Sequence, residues 1–266
     1  MRHAGVVMTA VIFLFWGTMN TLLVFRERKK ESLGQYRAHV AAFHKDALLR
    51  ERWFSIFRKN VKIGYTGFKF EKVFAAEGIE IRSTVESKVK IELFGASQWV
   101  EIQGLLVADD AMKPVSLRLD ATLETLPAMS LTGKREGDSF QLSIETGFLP
   151  PVRLSLPLQE LQLGDAFGPS LPIAGLEVGE TFEVPCFDPI ALERALATVR
   201  VVARETRSTS GLSVDAFRIE TTFRGVMSLS WVTEAGEVLL QELGPPFEGV
   251  RLIGDTPQNA KRINPK

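Results

Sequence analysis

A strict alternation of apolar and polar residues recurs along most of the chain after Trp53, and it limits the fold more than any other feature. In the clearest run, charged residues separate apolar positions of one parity, which are Ile79, Ile81, Val85, Val89, Ile91 and Leu93. Similar runs cover Val115–Leu123, Phe140–Ile144 and Val152–Leu156. A period of two residues is typical of antiparallel strands that bury one face and expose the other. The sequence therefore predicts a mainly β protein.

Short segments rich in Gly, Asp, Asn and Pro separate these runs and predict the turns. The segment Lys59–Asn60 is expected to form a hairpin tip, and further turns are expected at Ala76–Gly78, Ala108–Pro114 and Lys134–Asp138. These residue types adopt the backbone angles that tight turns need. Strands of about ten residues or more between the turns favour a strongly twisted, curved antiparallel sheet or an open barrel.

The order of these elements predicts two β units. Residues 53–156 form the first antiparallel unit, 157–179 a connecting loop rich in Pro and Gly, and 180–253 the second unit. Both units contain a strand, a turn and a strand of similar pattern, "WVEIQGLLVADDAMKPVSLRLD" and "VMSLSWVTEAGEVLLQEL", which indicates a duplicated meander. A short helical stretch, "IALERAL", is expected within the second unit. Residues 254–266 are polar and are expected to form a loose tail.

Residues 1–52 carry a different pattern, which predicts a membrane anchor followed by a juxtamembrane helix. The segment Ala4–Phe25 has no charged residue, and about 20 apolar residues suffice to cross a bilayer as a helix. It ends in "VFRERKKE" without the small residues of a cleavage site, which favours an uncleaved anchor over a signal peptide. The following residues keep a helical period, with one apolar stripe at Leu33, Tyr36, Val40, Phe43 and Ala47.

Charge and cysteine content exclude several classes of function. Lys and Arg total 32, as do Asp and Glu, so the chain has no net positive charge to attract DNA or RNA. We therefore expect no nucleic acid partner. Cys186 is the single cysteine, which rules out an intramolecular disulfide.

Several segments carry a family resemblance. They are the aromatic strand "WFSIFRKNVKIGYTGFKFE", the stretch "VGETFEVPCFDP" and the hairpin "WVTEAGEVLLQE", which follow the anchor in this order. The arrangement resembles the non-catalytic amino-terminal region of bacterial membrane-anchored transglutaminase-like proteins. It is also similar to a related family of exported β-rich domains of unknown function. The resemblance implies a curved antiparallel sheet outside the cytoplasmic membrane.

The resemblance does not extend to an activity. Transglutaminase-like chemistry needs a histidine that activates a cysteine thiolate. Here Cys186 is the only thiol, and His3, His39 and His44 all precede the sheet. We therefore expect no enzyme, although an acid–base pair that meets only in the fold stays as a lesser alternative.

The location of the body depends on two opposing signals. The basic residues that follow the anchor, among them Arg26 and Arg28, would by themselves leave the body in the cytoplasm. The resemblance implies the opposite orientation. We expect a single-pass protein of the bacterial inner membrane with its body in the periplasm.

A few isolated polar residues are candidate sites. Asp109 and Asp110 are a possible metal pair, but such a pair more often caps a hairpin turn. Asp188 is interpreted as a turn cap, and Cys186 as a small buried residue, because a reactive thiol needs a nearby cation. No phosphate loop, zinc spacing or nucleophile elbow is found in the sequence. We predict no catalytic, cofactor or metal site.

Two functions fit this description. The first is a non-enzymatic accessory subunit of a membrane transport or envelope complex, in which the small residues Gly5, Ala10, Gly17 and Thr18 let the anchor approach other helices closely. The second is a periplasmic lipid-binding or chaperone-like module that acts alone. Its candidate lining residues, each of which can equally be ordinary core, are Phe68, Phe70, Phe74, Phe94, Trp99 and Phe140.

Overall fold

Fourteen β-strands and one short helix make up the described part of the protein. The computed structural model describes residues 49–75, 78–93, 96–111, 113–125, 127–147, 149–158, 175–188, 193–209, 212–245 and 247–263. The first eight strands are β1 (Leu49–Arg58), β2 (Val61–Ala75), β3 (Gly78–Leu93), β4 (Ala96–Ala108), β5 (Pro114–Leu123), β6 (Met129–Glu136), β7 (Ser139–Thr146) and β8 (Leu149–Pro157). The others are β9 (Thr181–Asp188), β10 (Glu193–Thr209), β11 (Leu212–Phe223), β12 (Val226–Thr233), β13 (Val238–Leu243) and β14 (Val250–Asp255), followed by the helix α1 (Pro257–Lys261).

All fourteen strands belong to one antiparallel sheet. The order is β8-β7-β6-β5-β4-β3-β2-β1-β14-β13-β12-β11-β10-β9, so each half is a meander of sequence neighbours. The two meanders join where β1 pairs with β14, with Trp53 opposite Asp255 and Arg58 opposite Val250. The predicted mainly β, antiparallel architecture is confirmed. Among the described strands β8 and β9 form the two edges, so the sheet is open.

The alternation in the sequence separates an inner from an outer face. Cross-strand partners share a face, and one inner row runs across seven strands as Phe68, Val85, Gly104, Leu119, Leu131, Ile144 and Val152. The next row on the outer face begins with Trp53, Gly67, Glu86, Gln103 and Asp120. The inner row is apolar and the outer row is largely polar, as the period of two predicts.

The main core shows that the sheet curls around its inner face. Phe70 and Leu106 of the first meander belong to the same buried cluster as Phe182, Val201 and Ile219 of the second. Strands β4 and β10 are far apart in the sheet order, so their inner faces can meet only if the sheet folds over itself. A smaller cluster of Phe140, Leu142 and Leu158 packs against β5, β6 and β8. The inner face is therefore concave.

The turns largely follow the sequence. Lys59 and Asn60 form the β1–β2 tip with φ values of 48° and 68°, the left-handed pair that a two-residue hairpin loop needs. The turn predicted at Lys134–Asp138 is shorter, because β6 continues to Glu136 and only Gly137, at φ 58°, and Asp138 separate it from β7.

Three segments differ from the expectation. Strand β1 begins at Leu49, inside the region assigned to the juxtamembrane helix, because its first residues pair with β2. The predicted helix "IALERAL" is wrong from Glu193 onward, since Glu193 pairs with Asp188 and starts β10. The tail is not loose at its start, because β14 extends to Asp255 and α1 follows directly.

The predicted anchor Ala4–Phe25 and the predicted helical stripe after it lie outside the described residues, as does most of the predicted connecting loop. Within the ranges that the structure describes, no helix has the length and apolar character needed to cross a bilayer.

Candidate functional site

A groove runs over the outer face of β1–β5, beside α1. Its volume is about 610 Å³. Its lining comprises Glu51, Trp53, Gly67, Phe68, Lys69, Thr84, Val85, Glu86, Gln103, Gly104, Leu105, Arg118, Asp120 and Lys261. We refer to this surface as the Trp53 groove. Most side chains lining it are polar or charged, so it differs in character from the concave inner face.

Trp53 lies flat on the sheet because its cross-strand partner is a glycine. Trp53 pairs with Gly67, and a Cβ atom added to Gly67 would lie 2.5 Å from Cε3 and Cζ3 of the indole. The indole Nε1 donates a hydrogen bond of 2.6 Å to Glu51 Oε1. The ammonium group of Lys261 lies above the ring, 4.5 Å from its centroid. The indole is therefore held between the backbone of β2 and a cation from α1.

Glu86 connects the groups around this indole. It is the partner of Gly67 on β3, so it lies in the same row as Trp53. Its Oε2 accepts a 2.8 Å hydrogen bond from Lys261 Nζ, and its Oε1 accepts a 3.0 Å hydrogen bond from the Tyr65 hydroxyl. The Tyr65 ring is tilted by 43° against Trp53, with 6.0 Å between the centroids. Burial, together with this hydrogen bond and the charge of Glu86, raises the pKa of Tyr65 to about 12.

Helix α1 is held in place by contacts other than those of Lys261. Thr256 caps its first turn by accepting a hydrogen bond from the Asn259 amide, and Pro257 occupies the first turn, where its missing N–H costs nothing. Lys62 Nζ donates a 2.6 Å hydrogen bond to the Asn259 carbonyl. Ala260 is fully buried. Burial lowers the pKa of Lys62, and the negative charge of Asp255 partly offsets this effect.

Ion pairs neutralise most of the remaining charges in the groove. Arg118 contacts Asp120 at 2.8 Å, and Lys69 contacts Glu71, next to the groove, at 2.7 Å. The groove thus offers paired charges around one aromatic platform, an arrangement suited to binding a polar or cationic group. Over the described ranges there is no group of three His, Cys, Asp or Glu residues that could hold a metal ion.

A second surface lies on the inner face of β5–β8. The row Leu119, Leu131, Ile144 and Val152 continues the apolar face of the core toward the sheet edge. A neighbouring row contains Ala121, Met129, Thr146 and Leu149. Leu149 is 70% exposed, Met129 40% and Val152 38%. We call these two rows the β5–β8 apolar face. It is uncharged and is only partly covered.

Three of the predicted lining residues lie on the inner face, but they occupy the core. Phe70 is buried in the main cluster and Phe68 packs against that cluster. Phe140 is buried in the smaller cluster. These side chains fill space between strands, and the β5–β8 apolar face lies beside the cluster of Phe140.

The other predicted lining residues are dispersed. Trp99 lies on the outer face, with the ammonium groups of Lys88 and Lys90 at 5.4 Å and 6.0 Å from its ring centroid. Phe74 is 77% exposed near the end of β2, and Phe94 lies outside the described residues. The five predicted lining residues that the structure describes therefore do not line one cavity.

Asp109 and Cys186 are two of the candidate site residues from the sequence, and the structure shows where each lies. Asp109 Oδ1 accepts a hydrogen bond from the Lys113 amide and Oδ2 accepts one from Arg135, each at 2.8 Å. Asp109 thus caps the β4–β5 turn, the alternative to a metal pair that the sequence favoured. Cys186 lies in β9, where its backbone pairs with that of Ala195.

The sequence predicted neither the Trp53 groove nor its charged residues. Parity across the two-residue Lys59–Asn60 tip would put Trp53 and Tyr65 on opposite faces, and only the β-bulge between Ile56 and Phe57 brings them to one face, so the sequence offered no simple signal for this pair. Lys261 carried no such signal, because it lies 175 residues from its partner Glu86.

Comparisons with known proteins give a similarity of fold only. No protein-family model matches the chain, and no curated protein matches it. Among solved structures, the chain is similar to a β-barrel-like protein of the domain of unknown function DUF1849 from Brucella abortus. The two share 11% identical residues with a TM-score of 0.48, over 78% of this chain and 95% of the other. At this score the similarity carries no conclusion about function, and the resemblance to transglutaminase-like proteins stays a prediction.

Proposed function

We propose that the protein is a non-enzymatic module that binds a lipophilic chain on its β5–β8 apolar face. Residues 4–25 tether it to the bacterial inner membrane, and its body lies in the periplasm. The observation that supports the proposal best is the exposure of Leu149, Met129 and Val152 on the concave face of the sheet. A contiguous group of exposed apolar side chains marks a surface that binds a partner or a ligand.

The chemistry of the surface favours an acyl chain over a polar ligand. The two rows of the β5–β8 apolar face contain no charged side chain, and Thr146 is their only side chain with a polar atom. Strands about 4.8 Å apart make a four-strand surface about 15 Å wide, which suits a medium-length hydrocarbon chain. Covering about 200 Å² of apolar surface contributes about 5 kcal/mol, from which the cost of ordering the chain is subtracted.

A photoreactive fatty acid tests this proposal in the full chain. Membranes that contain the protein are loaded with a diazirine-bearing fatty acid and irradiated, and labelled peptides are mapped by mass spectrometry. We expect labels in β5–β8, between Pro114 and Pro157, and expect the substitution Val152→Glu to remove them. The matched control is Leu105→Glu on the outer face, because Leu105 is 41% exposed, close to the 38% of Val152.

The control should keep the labels. Labels confined to the membrane anchor, or labels in β5–β8 that survive Val152→Glu, would contradict the proposal. If both substitutions remove the labels from β5–β8 equally, the cause would be unfolding. Circular dichroism of the two variants distinguishes unfolding from a true loss of binding.

An accessory subunit of a membrane complex is the second candidate, and a separate observation favours it. Phe74 and Ile79 are cross-strand partners near the end of β2 and the start of β3, and both are exposed. They lie toward the same end of the sheet as Leu49, which pairs with Glu71. The tethered segment enters the sheet there, so an apolar tip would lie near the bilayer. A photocrosslinker at position 74 should then give one discrete protein adduct, whereas labelling of lipid alone would count against a protein partner.

A further inference from the structure

We propose that Trp53, Tyr65 and Glu86 form a binding site for a primary ammonium group, and that Lys261 fills this site as an exchangeable internal occupant. The site lies on the outer face, so it is separate from the β5–β8 apolar face and its function is additional to lipid binding. A ligand amine would replace the Lys261 side chain without a change in the sheet.

The aromatic platform has the geometry that binds cations. One face of the Trp53 indole rests on Gly67, which leaves the other face to the ammonium group at 4.5 Å from the centroid. A cation within about 6 Å of an indole face is attracted by the ring quadrupole. The hydrogen bond from Trp53 Nε1 to Glu51 fixes the ring in this orientation.

The carboxylate selects a primary over a quaternary ammonium group. Glu86 Oε2 accepts a hydrogen bond from the ammonium at 2.8 Å, and a quaternary nitrogen has no proton to donate. The Tyr65 hydroxyl occupies Oε1 and so fixes the carboxylate. The Tyr65 ring completes the wall beside Trp53. Charge-assisted hydrogen bonds of this kind are stronger than neutral ones.

The occupant can leave because its helix is anchored independently. The cap at Thr256, the bond from Lys62 to the Asn259 carbonyl and the burial of Ala260 all hold α1. None of these contacts involves the Lys261 ammonium group. The side chains of Lys261 and Glu86 are both partly exposed, so solvent and ligand reach the ion pair.

The charges of the groove favour a cation once Lys261 is absent. Glu51, Glu86 and Asp120 then face only Lys69 and Arg118, which leaves one net negative charge within the groove. The groove volume of about 610 Å³ leaves space beside the ammonium position for the rest of a ligand.

The test uses the full chain in detergent with fluorinated tryptophan, and follows the Trp53 signal by ¹⁹F NMR. Lys261→Met removes the charge but keeps most of the stem. We expect this variant to bind Nα-acetyl-lysine amide at least about tenfold more tightly than the wild-type chain does, because the ligand no longer competes with the Lys261 ammonium group for Glu86. Choline, a quaternary amine, should bind the variant more weakly than the lysine derivative.

The matched control is Lys69→Met, which removes another ammonium group from the same groove but not from Trp53. It should gain no affinity. Adding Glu86→Gln to Lys261→Met should remove the gain. The proposal is overturned if Lys261→Met gains no affinity, if Lys69→Met gains as much, or if the gain survives Glu86→Gln. Equal or tighter binding of choline would overturn the assignment of a primary amine.

A measurement on the wild-type chain tests the exchange of Lys261 directly, so the proposal stays testable even if Lys261→Met does not fold. The ring current of Trp53 shifts the signals of the Lys261 side chain in a ¹³C-lysine-labelled protein. Saturating Nα-acetyl-lysine amide should move these signals to the position of a solvated lysine. Signals that stay unchanged at saturation would show that Lys261 is a permanent structural contact and would refute exchange.

Discussion

Replacing Gly67 by alanine should destabilise the protein because the added methyl group would displace Trp53. The new Cβ atom would lie 2.5 Å from two atoms of the indole ring, about 1 Å closer than a normal contact between carbon atoms. The ring would have to move, which disturbs both its bond to Glu51 and its contact with Lys261.

The expected loss of unfolding free energy is the sum of opposing effects. Overpacking of this kind costs about 1–3 kcal/mol, and losing the ring's hydrogen bond and cation contact costs about 1 kcal/mol more. Alanine in a strand regains about 0.5–1 kcal/mol over glycine. The net loss is about 2 kcal/mol, which in a domain of this size lowers the melting temperature by about 4–8 °C.

Thermal unfolding followed by circular dichroism measures this shift in the full chain. The matched background is Trp53→Ala, in which the methyl group of Gly67→Ala meets no ring. There the same substitution should be neutral or should raise the melting temperature, so its effect changes sign. Equal destabilisation in both backgrounds would refute the reasoning, because the cost would then come from the backbone of β2 and not from the indole.

Two further predictions concern single polar groups. Ser83 is fully buried and its hydroxyl has no hydrogen-bond partner among the described residues, whereas the similarly buried Ser55 donates a 2.6 Å bond to Asp255. Ser83→Ala should therefore leave the melting temperature unchanged or raise it, while Ser55→Ala should cost about 1–3 kcal/mol. Equal losses in the two variants would contradict this contrast. The pKa of Tyr65 is raised to about 12 in the folded chain against 10.0 for the free side chain. As pH rises, Tyr65 therefore loses its proton in the unfolded chain before it does so in the folded chain. The contribution of Tyr65 to stability should be lost as pH rises from 10 to 12. Phenolate absorbance during alkaline titration checks this, and a Tyr65 that titrates near pH 10 in folded protein would refute it.

The strands could be predicted from the sequence because the inner and outer faces differ sharply in polarity. Their alternation predicts Phe140, Leu142 and Ile144 in one strand and Val152, Leu154 and Leu156 in the next. In the structure Phe140 pairs with Leu156, and the others pair in register. Hairpin turns were found for the same local reason, since their residues need particular backbone angles.

Long-range pairing could not be predicted, because nothing local specifies it. The β1–β14 junction, which makes one sheet out of two meanders, joins segments that share no distinctive pattern. Glu193 to Leu196 has the composition of a helix, and only its pairing with β9 makes it a strand. Lys261 lies in the segment that the sequence predicts to be a loose polar tail, and its role depends on the capped helix that brings it to Trp53 and Glu86.

The β1–β14 junction also affects how the protein is made. Ser55 and Asp255 meet in the finished sheet although 200 residues separate them. At about 5–20 residues per second, synthesis of that interval takes about 10–40 s. During this time β2 can already pair with one edge of β1. The backbone hydrogen-bonding groups on the other edge of β1 stay unpaired, because β14 has not yet been synthesised. A nascent chain in this state presents an open edge to its neighbours, so a factor that shields β1 during synthesis would increase the yield of folded protein more than one that acts on the completed chain.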